Sequence, residues 1–215
     1  GPWTVWVKSA DPDIYRTFTN DAFTDGLGRV WKIASVDTTA DTFTVTNNEY
    51  SRGSPSATPK YGKVGRFFNT LQEWEDARGG VDLTSGGRNA VEKGVCYNDA
   101  PFTTRLTIAG ATTDASHYMW LTVAEGERHN GTKATGAVLD LGGASVYPIY
   151  DNDDNSTIEW LRVTDWDYYT GIANVASYCR YRNLLVHDAT APIGIDIGWS
   201  GNACTLSNSR SEEHT

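Results

Sequence analysis

The stretch Ser156-Thr157-Ile158-Glu159-Trp160-Leu161-Arg162-Val163-Thr164-Asp165 aligns without a gap over Cys179-Arg180-Tyr181-Arg182-Asn183-Leu184-Leu185-Val186-His187-Asp188, 23 residues further on. Cys204-Thr205-Leu206-Ser207-Asn208 follows 25 residues after that. A second segment keeps the interval: Pro148-Ile149-Tyr150, Gly171-Ile172-Ala173-Asn174 and Gly194-Ile195-Asp196-Ile197 recur every 23 residues. Two independent segments sharing one period describe a chain wound into coils, each laying short strands on the coil before it.

Parallel strands stack about 4.8 Å apart, so equivalent residues form ladders. Alternation along the strand places Ile158, Tyr181 and Leu206 inward, together with Ser156, Cys179 and Cys204. Glu159 and Arg182 share an outward position, where opposite charges on neighbouring strands attract. Trp160, Asn183 and Asn208 fall where the inward parity switches, so the chain is expected to turn there in a conformation that Asn tolerates well. Residues 118–123 and 105–108 read as earlier strands at irregular spacing. Stacked cysteines in register would hold their Cβ atoms about 4.8 Å apart, wider than a disulfide prefers, so Cys179 and Cys204 are expected to stay reduced.

Upstream, Thr70-Leu71-Gln72-Glu73 is a capping box, and Leu71, Trp74 and Ala77 follow at helical spacing before Gly79-Gly80. The resulting short helix, residues 71–78, carries an apolar stripe suited to covering the open end of the coils. Residues 1–62 differ in character. Trp3-Thr4-Val5-Trp6-Val7 alternates like a strand, residues 29–36 and 42–46 form a hairpin, and residues 51–60 read as a loop. This β-rich extension is either a small module or an elaboration of the cap; one hairpin is marginal alone, which favours the second.

Val64-Gly65-Arg66-Phe67-Phe68-Asn69-Thr70-Leu71-Gln72-Glu73-Trp74, then Gly126-Glu127-Arg128-His129-Asn130-Gly131, then the coils, resembles the start of pectate-lyase-like right-handed β-helix proteins. The resemblance covers residues 64–209, and its motifs mark a fold and not a reaction. It implies an all-β chain: a right-handed parallel β-helix with an N-terminal amphipathic capping helix. The expected organisation is a β-rich extension over 1–62, the helix and entry loop over 63–90, and incomplete coils over 91–209. Such proteins are common among secreted bacterial and phage proteins, which implies an extracellular or virion-surface location and, by analogy with phage spikes, a homotrimer. Residues 210–215 read Arg-Ser-Glu-Glu-His-Thr, the in-frame translation of AGATCGGAAGAGCACACG, which resembles a sequencing adapter; they are expected to be foreign to the protein.

Candidate chemistry is sparse. Asp165, Asp167 and Asp188, with Arg162 and Arg182, match the residue types a pectate lyase uses to hold calcium and abstract a proton, yet Asp in a turn after a strand is ordinary. The run Asp151-Asn152-Asp153-Asp154-Asn155 lacks the spacing of an EF-hand and reads as a polar turn between coils. His187 beside Asp188 makes a potential acid–base pair. No catalytic set is complete, and neither a metal nor a cofactor is expected. Trp166, Tyr168, Tyr169 and Trp199 fall in loops at comparable places in successive coils, where aromatic faces beside Asp and Asn suit sugar rings; they are the expected carbohydrate-binding residues.

Charge narrows the partners. The net charge is −9, with 18 basic residues scattered among 27 acidic ones, so no nucleic-acid partner is expected. No run of about 18 apolar residues exists, and no membrane insertion is expected. The favoured function is therefore a structural shaft contacting a polysaccharide or cell-surface glycan. The alternative is a secreted polysaccharide lyase or glycoside hydrolase whose catalytic coils lie mostly beyond Ser209.

Overall fold

The computed structural model describes residues 3–6, 22–24, 30–37, 42–46, 63–65, 68–190, 192–197 and 203–212. The chain divides into two compact units, Gly1–Asn69 and Thr70–Thr215. In the first, β1 (Trp3–Trp6), β2 (Ala22–Thr24), β3 (Val30–Asp37), β4 (Thr42–Thr46) and β5 (Lys63–Gly65) form an antiparallel sheet in the order β1-β4-β3-β2-β5. The expected hairpin is β3 with β4, and it buries Trp31, Ile33 and Val45. β2 and β5, three residues each, are too short to show an alternation of their own.

The second unit begins with α1 (Leu71–Arg78). Its capping box closes both ways: the Glu73 amide donates to Thr70 Oγ1 at 3.0 Å, and the Thr70 amide donates to Glu73 Oε2 at 3.2 Å. Leu71 and Trp74 are buried as expected, but Ala77 is only half-buried and Glu75 takes its place on the covered face. The helix ends at Gly79 without a left-handed turn, at φ −79°. A Cβ there would lie 2.2 Å from Glu75 Oε1, so a side chain at this position would displace the Glu75 carboxylate from the Ala109 amide.

Three parallel sheets follow. β7 (Leu106–Ile108), β10 (Ile149–Asp151), β13 (Thr170–Asn174) and β16 (Ile193–Asp196) stack in one. The second contains β6 (Glu92–Cys96), β8 (Met119–Val123), β11 (Thr157–Glu159), β14 (Arg180–Arg182) and β17 (Thr205–Ser207). The third contains β9 (Val138–Ala144), β12 (Arg162–Trp166), β15 (Leu185–His187) and β18 (Arg210–Glu212). From β7 onward each coil contributes one strand to each sheet, with β6 preceding them in the second, so the unit is a parallel β-solenoid. The expected ladders hold in register: Ile158 pairs with Tyr181 and Tyr181 with Leu206, while Ile149, Ile172 and Ile195 pair in sequence. Leu206, on the last strand of its sheet, is however 44% exposed where an inward position was expected. Ile149, Ile158, Val163, Ile172, Tyr181 and Val186 fill the interior at 0% exposure. The first residues of the tail expected to be foreign pair in register on β15, with Ser211 continuing the Val163–Val186 row.

The sheets meet at corners built from single left-handed residues. Asn155, Trp160 and Asp165 have φ of 62°, 65° and 53°, and Tyr178, Asn183 and Asp188 repeat them at 63°, 52° and 56°. Ala203 and Asn208 continue the series. Trp160, Asn183 and Asn208 thus turn where the parity switch places the turn. The backbone ladder runs through the corners, since the Asn155, Trp160 and Asn183 amides donate to the Ser177, Arg182 and Ser207 carbonyls. Each corner resets the alternation, so the next side chain points in: Ser156, Leu161, Trp166, Cys179, Leu184 and Ala189 are all buried. Glu159 and Arg182 share a register position, but Glu159 is buried against the preceding coil instead of pairing outward. One oxygen, Oε1, accepts from Trp120 Nε1 at 3.1 Å and from Thr122 Oγ1 at 3.0 Å.

α1 seals the first coil by imitating a strand. The Gln72 amide donates to the Thr107 carbonyl at 3.3 Å and accepts from the Thr107 amide at 2.7 Å, while Glu75 Oε1 accepts from the Ala109 amide at 3.0 Å. These backbone groups belong to the open edge of the β7 segment and would otherwise lack partners. Trp74 enters beside Gly94, where a Cβ would lie 2.7 Å from the indole.

Two outcomes check this construction. Gln72→Ala leaves two backbone groups of Thr107 unmatched and should lower stability by about 1–3 kcal/mol in urea unfolding. Tyr178 is 55% exposed at a left-handed corner. Tyr178→Asn should therefore raise stability by about 0.5–1 kcal/mol, and Tyr178→Val should lower it by a similar amount.

Candidate functional site

Two of the three carboxylates singled out in the sequence, Asp167 and Asp188, are held by the protein's own groups, while Asp165 is exposed. Asp165 and Asp188 occupy equivalent corners, as their offset indicated. Asp188 Oδ1 accepts from Lys133 Nζ at 2.6 Å, and its Oδ2 lies 2.7 Å from His187 Nδ1. The lysine bond, then the histidine bond, holds the Asp188 carboxyl below its ordinary range. His187 sits beside Asp188 as expected, but its ring is enclosed, 3% exposed, with Thr164 Oγ1 at 3.3 Å from Nδ1 and no partner at Nε2. An enclosed imidazole does not reach a substrate on the surface. Arg162 donates to the Thr135 carbonyl at 3.1 Å, and Asp167 Oδ1 accepts from Thr190 Oγ1 at 2.8 Å.

The acidic run before β11 joins coils. Asp153 accepts from the Gly110 and Ala111 amides at 2.7 and 3.1 Å, and Asp154 Oδ1 accepts from the Ser177 amide at 2.7 Å. His129, in the segment that carries the family resemblance, has the same kind of task. Its Nδ1 accepts from the Gly131 amide at 3.2 Å, which leaves Nε2 to donate to the Asn183 carbonyl at 2.6 Å. Burial lowers its pKa and keeps it neutral, so it clamps a corner as a fixed hydrogen-bond bridge.

Asp151 is the residue that sequence reasoning missed. The polar turn expected over 151–155 does not extend to Asp151, which is the last residue of β10 and faces inward in the row Ile108–Asp151–Asn174, fully buried. The Ser156 hydroxyl donates to Oδ2, as does the Tyr181 hydroxyl at 2.6 Å. Tyr181 in turn accepts from Asn174 Nδ2 at 2.7 Å, and Cys204 Sγ contacts Asn174 Oδ1 at 3.5 Å. Asp151 Oδ1 has no partner; the Asp153 amide exerts a favourable field without meeting hydrogen-bond geometry. Burial lifts the Asp151 carboxyl to about 6 in spite of the two hydroxyls, and pushes the Tyr181 hydroxyl well above its ordinary value. The signal was present in the sequence: Ile149-Tyr150-Asp151 alternates, which puts Asp151 on the face of Ile149. Cys179 and the half-buried Cys204 stack here without a disulfide between them, with the Cys179 amide 3.4 Å from Cys204 Sγ.

The aromatic residues divide. Trp166, expected on the surface, is 2% exposed: the left-handed corner at Asp165 turns its ring inward against Gly171, whose position has no room for a Cβ. It is a core residue and no sugar platform. Trp199 lies outside the described residues. Tyr168 and Tyr169 are 43% and 52% exposed, as expected. Two further tyrosines join them: Tyr147 meets Tyr168 edge-on at 4.7 Å and Tyr150 at 6.0 Å. Desolvation, and then Tyr168, raises the Tyr147 hydroxyl. The flank therefore carries a braced tyrosine cluster where β12 passes into β13.

Ladders, corners and a strand-mimicking helix together define a parallel β-solenoid protein. Comparison with protein-family models, curated proteins and solved structures finds no match to this chain. Of the expected pectate-lyase-like fold, the structure shows the parallel β-solenoid, and no family model ties the chain to that superfamily.

Asp151 makes stability depend on pH in an uncommon direction. Its folded pKa of about 6 exceeds the ordinary 3.8, so the folded state binds the proton more tightly than the unfolded chain. This contribution is fully present below about pH 4 and is lost as pH rises through 6, up to about 3 kcal/mol in all. Asp151→Asn should flatten the pH dependence of urea unfolding between pH 4 and 6 and raise stability at pH 7.

Proposed function

We propose that this chain is part of an extracellular or virion-surface β-helix protein that serves as a structural shaft and contacts carbohydrate along its flank. The observation that carries this reading is the tyrosine cluster, in which Tyr147 braces Tyr168 edge-on while Tyr168 and Tyr169 keep about half of their surface in solvent. A ring held by another ring loses little freedom on binding, and its face offers an apolar plane to the C–H face of a pyranose. Asp167, next in the chain to Tyr168, is exposed; its Oδ1 takes the Thr190 hydroxyl, and its Oδ2 can accept from a sugar hydroxyl. A shaft role is supported by a core continuous through successive coils, and the resemblance to secreted and phage β-helix proteins supports the location and a homotrimeric assembly.

The second reading is a secreted polysaccharide lyase or glycoside hydrolase. Asp167, Asp188 and the His187 imidazole are engaged by other groups of the chain and Asp165 alone is left exposed, so no acid cluster is open to a substrate in the region described and the binding role is favoured.

Glycan-array screening followed by calorimetry on the best ligand tests the proposal. Tyr168→Ala with Tyr169→Ala should weaken binding at least tenfold with an unchanged melting temperature. Trp199→Ala measures whether that residue belongs to the same surface. Equal affinity in the double tyrosine variant would remove the flank as a glycan site.

A further inference from the structure

The outward face of the sheet β6-β8-β11-β14-β17 gathers cations that the linear sequence scatters. Register sets two outward rows. Lys93, Trp120, Thr157, Arg180 and Thr205 form one; Val95, Thr122, Glu159, Arg182 and Ser207 form the other. Three of these ten positions are cationic and one is acidic, in a chain with 27 acidic residues against 18 basic. Glu159 is buried under Trp120 and Thr122, so the solvent-facing part of both rows is positive. Arg128 adds a fourth cation at the end of β8, over the corner residue Trp160, while its neighbour Glu127 turns to the Asn98 amide.

Two features separate these cations from ordinary surface charge. Among the described residues none of the four forms an ion pair, whereas Arg88 and Lys133 pair with Glu92 and Asp188. Three of the four are also braced by aromatic rings: Lys93 lies 4.0 Å from the Trp120 ring centroid, Arg128 4.9 Å from Trp160, and Arg180 5.3 Å from Tyr118. A cation held over a ring keeps its charge, loses rotamer freedom in advance, and stays available to an anion on its open side. Strand spacing sets Arg180 and Arg182 about 7 Å apart and places Lys93 roughly 14 Å from Arg180. The face is thus an extended, pre-ordered row of unpaired positive charges along one parallel sheet.

We propose that this face is a second binding surface, separate from the tyrosine flank, and that it takes a polyanionic glycan whose carboxylate or sulfate groups recur along the chain. Charge repeated across successive strands suits a linear polymer better than a single small anion. The negative charge of the rest of the protein repels densely charged polymers and leaves this face as the place where an anionic sugar chain can lie.

Binding to heparin, polygalacturonate, dextran and single-stranded DNA, measured by affinity electrophoresis at several salt concentrations, tests the proposal on the full chain. At least one of the two acidic glycans should bind and weaken steeply with salt, while dextran shows no salt dependence. Stronger heparin binding identifies sulfate as the preferred anion, stronger polygalacturonate binding identifies carboxylate, and either supports the surface. Lys93→Gln with Arg182→Gln should weaken that binding at least tenfold with an unchanged melting temperature. The double tyrosine variant should leave it intact, so failure here and failure of the flank site are read separately. Absence of acidic-glycan binding at low salt, equal binding by the Lys93/Arg182 variant, or tighter binding to DNA than to both glycans would overturn the proposal.

Discussion

The solenoid depends on putting single residues into left-handed backbone conformation at five-residue intervals. A strand of three residues cannot bend by itself, and a longer loop at each corner would carry neighbouring sheets apart. One left-handed residue turns the chain sharply and keeps its amide in the ladder with the next coil. The conformation costs about 1–2 kcal/mol for a residue with a Cβ, less for Asn and Asp. Asn155, Asp165, Asn183, Asp188 and Asn208 meet this requirement cheaply. Trp160 does not, and its strain is offset by contacts with Arg128 and with the His129 ring at 5.8 Å.

Because each corner resets which side chains face in, the corners also decide composition. Leu161, Trp166, Leu184 and Ala189 follow them and supply apolar bulk. Ser156 and Cys179 follow the first corner of their coils and supply the polar lining around Asp151. The interior is consequently graded: aliphatic rows along β12 and β15, and a hydrogen-bonded file of Asp151, Tyr181 and Asn174 between β10, β13 and β14. A buried carboxylate with one unmatched oxygen makes the fold less stable at neutral pH than an apolar core of the same shape would be.

The coils were legible because two strands kept one period and because the parity break at Trp160, Asn183 and Asn208 marked a turn. The capping box was legible for the same reason: its residues are neighbours in the chain. What escaped was anything that required following rows through more than one corner. Trp166 was assigned to the surface by counting it as a loop residue, although the inward step after Trp160 repeats after Asp165. Asp151 was absorbed into an acidic run, although the alternation from Ile149 points it inward. Lys93 and Arg180 share a row through β8 and β11, but the connections between β6, β7, β8 and β9 are irregular in length, so no fixed offset relates them. Trp199 remains part of the flank proposal only by its position in sequence.

The register of the last coils has a consequence for how the gene can change. Ile149, Ile172 and Ile195 keep one spacing, and every corner-to-corner step along β11, β12, β14 and β15 is equal; the two additional residues of the final interval lie between β16 and β17. That connection is where the architecture absorbs insertions and deletions, because a single codon gained within a corner-to-corner step would reverse the facing of a whole strand. Within the regular coils, homologous chains should therefore differ in length at this joint and hold the corner-to-corner steps constant, so that ornamentation, and with it new specificity, accumulates there along one longitudinal seam, while the opening coils vary elsewhere, as in the long connection from β8 to β9.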